Sequence, residues 1–99
     1  MAKVQRTATG QSFMEPVGSY QQLLAATAVG LGTIPEGATL VMIQPETQQI
    51  RWRDDGVNPT ATVGNLVIVN DTLFYTGNFA SFKFIEVAVT TKVNVTFYR

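Results

Sequence analysis

The sequence predicts an all-β domain, a small antiparallel β-sandwich or barrel of about six to eight short strands behind an irregular N-terminal arm. Three observations carry this expectation. Apolar and β-branched runs of strand length recur along the chain. Turn-forming clusters of Gly, Pro, Asn and Asp separate them. No segment holds the three-to-four-residue apolar spacing of a long amphipathic helix.

Residues 1–18 are polar and irregular apart from Phe13 and Met14, and read as an arm that is flexible or becomes ordered on a partner. Residues 19–99 are the sandwich domain. Within it, residues 19–27 are ambiguous. Leu23, Leu24, Ala25 and Ala26 favour a helix by propensity, but the segment is short and runs into Gly30 and Gly32. It reads as an extended edge, with a short helix as the alternative. Pro35, Glu36 and Gly37 make a turn.

From residue 39 the pattern is uniform. Residues 39–44 are near-continuously apolar, as in a strand covered on both faces, and Pro45 ends the run. Residues 48–53 follow after a tight connection, so the two should pair as a hairpin. Residues 66–69, 72–76 and 82–87 are further strands, and 92–98 alternates cleanly. The expected inward set is Leu40, Met42, Ile50, Trp52, Leu66, Ile68, Leu73, Phe82, Phe84, Val93, Val95 and Phe97. At roughly 1.5–3 kcal/mol for each fully buried side chain, such a set can offset the ordering cost of a domain this size.

Residues 48–62 form an organising corner. Ile50 and Trp52 alternate with Arg51 and Arg53, which makes the first half a strand. Asp54, Asp55, Gly56 and Asn58 then favour a turn, and Pro59 stiffens it. The only tryptophan therefore sits beside two arginines and the only adjacent carboxylate pair.

Composition narrows the chemistry. The chain has 99 residues, one domain's worth, with 45% hydrophobic and 14% charged residues. Seven basic and seven acidic residues leave no net charge. Sequence-independent nucleic-acid binding needs a surplus of Lys and Arg, so no nucleic-acid partner is expected. A zero balance does little to hold copies apart, which makes a homo-oligomer plausible. There is no cysteine and no histidine. Disulfides, thiolate nucleophiles, ordinary zinc sites and histidine-dependent triads all fall away together. No segment approaches a membrane span or a signal peptide, so no membrane association is expected and synthesis in a cytoplasm is the default.

Asp54 and Asp55 are the remaining route to catalysis. Neighbouring strand residues point to opposite faces, so the pair converges only if the turn bends it. Asp-Asp-Gly alone falls short of a calcium loop. The expectation is no enzyme, no cofactor and no metal. Instead Arg51 or Arg53 can bridge to Asp54, Asp55 or Glu86, or the two arginines can face outward and grip a neighbour's carboxylates. Interface candidates are thus Phe13, Met14, Arg51, Arg53, Tyr75 and Tyr98, with Trp52, Asp54, Asp55, Gly56 and Pro59 as a structural corner.

The run Ile50-Arg51-Trp52-Arg53-Asp54-Asp55-Gly56, then Pro59-Thr60-Ala61-Thr62-Val63-Gly64, Leu73-Phe74-Tyr75-Thr76-Gly77, Phe84-Ile85 and the closing residues 93–98 together resemble a small class of tailed-bacteriophage proteins. Those proteins look like virion structural components encoded among head and tail genes. The resemblance spans roughly residues 28–99 and is most distinctive in Arg-x-Arg-Asp-Asp-Gly-x-x-Pro-Thr. It implies a non-enzymatic protein, made in a host bacterial cytoplasm and located in the virion. Such a protein would decorate or cement the capsid, or serve at the head–tail junction. Its partners would be capsid or tail proteins and its own copies, as a dimer or trimer. Similar proteins carry no assigned catalytic residues, so no active site is transferred. A second expectation is a carbohydrate- or receptor-binding module of a phage tail, stacking ligand on Trp52, Tyr75 or Tyr98.

Overall fold

A computed structural model describes residues 15–99. Phe13 and Met14 lie outside the described residues. Seven strands form two antiparallel sheets: β1 (Pro16–Leu24), β2 (Leu40–Glu46), β3 (Ile50–Arg53), β4 (Asn65–Val67), β5 (Leu73–Tyr75), β6 (Lys83–Glu86) and β7 (Lys92–Tyr98). The four-stranded sheet has the order β1-β7-β2-β5, and the three-stranded sheet has the order β4-β3-β6. One buried cluster joins Val41, Ile43, Tyr75, Val93, Val95 and Phe97 of the first sheet to Ile50, Val67 and Phe84 of the second. The sheets therefore pack face to face on a shared core, the sandwich solution expected for strands with one apolar row.

β7 organises the larger sheet. It pairs with β1 on one side and with β2 along its full length on the other. Val93, Val95 and Phe97 are fully buried, as the alternation predicts. Residues 16–24 are extended rather than helical, and β1 begins at Pro16, inside the stretch read as an arm. Its register with β7 slips between Val17 and Gln21. Gly18 sits at that slip with φ of +73°, and a Cβ there would meet Pro35 Cγ at 2.5 Å, so only glycine fits. The side-chain amide of Gln21 donates to the Thr33 carbonyl at 2.8 Å and accepts from its N–H at 3.3 Å. One side chain thereby pins the following loop alongside β1.

Three expectations are corrected. First, β2 and β3 do not form a hairpin. Both edges of β2 are taken, by β7 and β5, so the chain turns at Thr47 (φ 71°) and crosses to the other sheet. Second, Pro45 does not end β2 but is buried within it. Its carbonyl accepts from Asn70 N at 2.8 Å, so its backbone polar groups point past the end of β5 and its missing N–H leaves the β7 ladder intact. Third, two strands are in the opposite register from the expected one. Val41 and Ile43, not Leu40 and Met42, face the core. Val67 is buried while Leu66 and Ile68 are 45% and 53% exposed. Runs that are apolar at every position carry no alternation, and cross-strand partners set their register instead. Val41 lies between Phe97 and Tyr75, both inward-facing.

The corrected register makes a direct prediction. Ile43→Ala should cost about 2–5 kcal/mol through its cavity. Met42→Ala, one residue earlier on the outer face, should cost about 1 kcal/mol or less. Urea denaturation midpoints of the two variants check this.

Candidate functional site

The corner after β3 is built from both sheets. Trp52 points inward, half-buried, and stacks on Phe82 with ring centroids 5.0 Å apart and planes 16° from parallel. Tyr75 of β5 meets Trp52 edge-on at 5.6 Å and is only 8% exposed. Its hydroxyl donates to Asp54 Oδ2 at 2.6 Å. Ser81 Oγ donates to the Asp54 carbonyl at 3.0 Å, from a single 3-10 turn (Phe79–Ser81) capped by Asn78. Burial, reinforced by the hydrogen bond and charge of Asp54, pushes the Tyr75 hydroxyl up to about 12.

Asp55 turns the other way. Arg53 forms a two-pronged ion pair with it, Nε donating to Oδ1 at 3.0 Å and Nη2 to Oδ2. That hydrogen bond to Arg53 holds the Asp55 carboxyl below its usual value. Oδ1 also accepts from Val57 N at 3.3 Å. Arg51 reaches over the loop instead, donating from Nε to the Ala61 carbonyl at 3.2 Å and from Nη1 to the Gly64 carbonyl at 2.9 Å. Pro59 is buried, and Gly64 passes so close to β3 that a Cβ would lie 3.1 Å from the Trp52 carbonyl. The two carboxylates thus serve separate partners on opposite sides. The two arginines, read as grips for a neighbour, are engaged within the chain. Glu86 faces the interior and accepts from Thr91 N at 3.1 Å rather than meeting an arginine. Among the described residues, no group of three Asp or Glu side chains is placed to hold a metal ion.

Two further surfaces emerge from the register. Around β4, Leu66 and Ile68 are exposed, as are Val57 and Val63 in the loop before it. The outer face of the four-stranded sheet carries Tyr98 and Leu40 at one end, then Thr96, Met42 and Phe74, then the row Gln22, Asn94 and Gln44, then Leu24, Lys92 and Glu46. Tyr20, from the slip in β1, donates to Asn94 Oδ1. Gln22 Nε2 donates to the same oxygen at 3.1 Å, while Asn94 Nδ2 donates to Glu46 Oε2 at 2.7 Å and Gln44 Oε1 at 3.3 Å. Asn94 is consequently 9% exposed although it lies on an outer face. Of the aromatic candidates, Tyr75 belongs to the core and Tyr98 lies half-buried on this outer face. The polar array leaves no local signal in the sequence because its members are scattered over three strands. Only their shared outward parity marks them, and only once the pairing is known.

Removing the Tyr75 hydroxyl tests the corner. Tyr75→Phe should cost about 1 kcal/mol near neutral pH, the size of one hydrogen bond with a solvent-accessible acceptor. A tyrosine whose folded value is raised contributes stability in full below its ordinary value of 10.0 and loses it as pH climbs towards about 12. Wild type should therefore lose stability over that window by a component that Tyr75→Phe lacks, read by denaturation at stepped alkaline pH. In comparisons with known proteins, no family model matches the chain, and no curated protein or solved structure matches it.

Proposed function

We propose that this protein is a non-enzymatic virion structural protein that decorates or cements a bacteriophage capsid by binding capsid subunits and its own copies. The phage context comes from the resemblance carried by residues 50–64 and the strands that follow. The observation that supports a docking role is the set of exposed aliphatic side chains at β4. Leu66 and Ile68 protrude from the smaller sheet, with Val57 and Val63 close by in sequence. Such side chains gain from removal from water only when another surface covers them. The corner supplies rigidity for this role, since its carboxylates and guanidinium groups are tied down in place. A stiff β-domain loses little conformational freedom on docking, so the ordering part of the cost of association is small.

The test combines Leu66→Lys with Ile68→Lys. Both positions are exposed, so the double variant should fold with a melting temperature near that of wild type. Its association with phage particles and with its own copies should drop sharply, as measured by co-sedimentation and by analytical ultracentrifugation at micromolar concentration. A wild-type protein that is monomeric at those concentrations and does not bind particles would sink the reading.

A further inference from the structure

We propose that the outer face of the four-stranded sheet binds a neutral oligosaccharide, laid over the amide row Gln22–Asn94–Gln44 and the adjacent row of Thr96 and Met42, which Tyr20 and Phe74 flank. This goes beyond the docking role and uses a different surface. The array is partly bonded within itself and partly without partners among the described residues. Asn94 occupies both ends of its amide, taking donors from Tyr20 and Gln22 and giving to Gln44 and Glu46. Gln22 Nε2 also reaches the Tyr20 hydroxyl and Glu46 Oε2, each at 3.4 Å. Three outer atoms have no partner among the described residues: Gln22 Oε1, Gln44 Nε2 and Glu46 Oε1. They offer a donor amide set among acceptors, on side chains whose other ends are already fixed.

That pattern fits sugar hydroxyls. Each hydroxyl both donates and accepts, so a row offering only donors or only acceptors would leave half its capacity unused. Gln22, Asn94 and Gln44 are direct register partners on adjacent strands, spaced about 4.8 Å apart. Tyr20 and Phe74 are 59% and 60% exposed and stand on the two outermost strands of the sheet, about 14 Å apart across three strand spacings. Aromatic rings offer large rigid apolar faces at small entropic cost, which suits the C–H faces of a pyranose. Between them lie Thr96 and Met42, register partners with short or pliable side chains. Among the described residues, the charges on this face are Lys92 and Glu46, opposite each other in register and of opposite sign, so the face favours a neutral ligand over a charged one.

The test is an ¹⁵N-HSQC titration of the full chain with α-1,4-glucan, β-1,4-glucan and β-1,4-N-acetylglucosamine hexasaccharides. At least one should give saturable shifts confined to Tyr20, Gln22, Gln44, Phe74 and Asn94 and their neighbours. Phe74→Ala removes one flank without touching the hydrogen-bonded array, and should weaken binding about tenfold. Gln44→Leu removes the outward donor and should weaken it comparably, with the spectrum of the free protein otherwise retained. The absence of saturable shifts up to the solubility limit of all three sugars would overturn the proposal. So would sugar-independent shifts on this face that grow with protein concentration, because a second copy would then be its occupant. Binding that survives both substitutions would place the sugar elsewhere and overturn it equally.

Discussion

The sandwich depends on one aromatic cluster that bridges its sheets: Trp52 stacks on Phe82 on the side of the smaller sheet, and Tyr75 of the larger sheet meets Trp52 and Phe82 across the gap. Trp52 belongs to the smaller sheet, Tyr75 to the larger, and Phe82 to the segment between the 3-10 turn and β6. Aromatic pairs in these geometries add to their area burial, and here they also fix the separation and slide of the sheets. The Tyr75 hydroxyl then finds Asp54 just past the end of β3, so the polar tip of a core residue is satisfied at the rim. The corner loop follows. Asp55 clasps Arg53, Arg51 reaches over to the carbonyls of Ala61 and Gly64, and the chain is delivered to β4 with Gly64 against the Trp52 carbonyl.

The clean alternations were readable and the unbroken apolar runs were not. Residues 92–98 disclose strand, length and inward face because polar and apolar side chains take turns, and the all-β class follows from many such short segments. Residues 40–43 disclose only that they form a strand. Leu, Val, Met and Ile satisfy either face, and the choice is made by Phe97 and Tyr75 from distant parts of the chain. The hairpin expected between β2 and β3 failed for a related reason. A short connection is compatible with edge pairing, but edge pairing needs a vacant edge. At the corner, the identity of the structural residues was legible from turn chemistry, whereas their partners were not. Tyr75 looked like a surface aromatic because nothing local shows that its ring fills the space beside Trp52.

The two sheets present dissimilar outer faces. The smaller sheet carries protruding aliphatic side chains around β4. The larger sheet carries a polar, charge-balanced array edged by aromatic rings, and that array also clamps β1 to β7 and β2. Two dissimilar faces on opposite sides of a stiff slab allow one to be covered while the other stays in contact with solvent. Under the proposed roles, docking at β4 and sugar binding on the larger sheet would use separate faces and would not compete.

The Gln21–Thr33 pairing has a consequence for copies crowded together. An open strand margin is a template on which another molecule can add, and then another, without limit. Here the amide of Gln21 imitates a neighbouring strand beside β1, and Val29 and Ala25 take up backbone groups of β6. Among the described residues, the two remaining margins, β4 and β5, are three residues each, and such short edges offer little template for strand addition. These protected margins oppose open-ended strand addition in a chain whose zero net charge does little to keep copies apart.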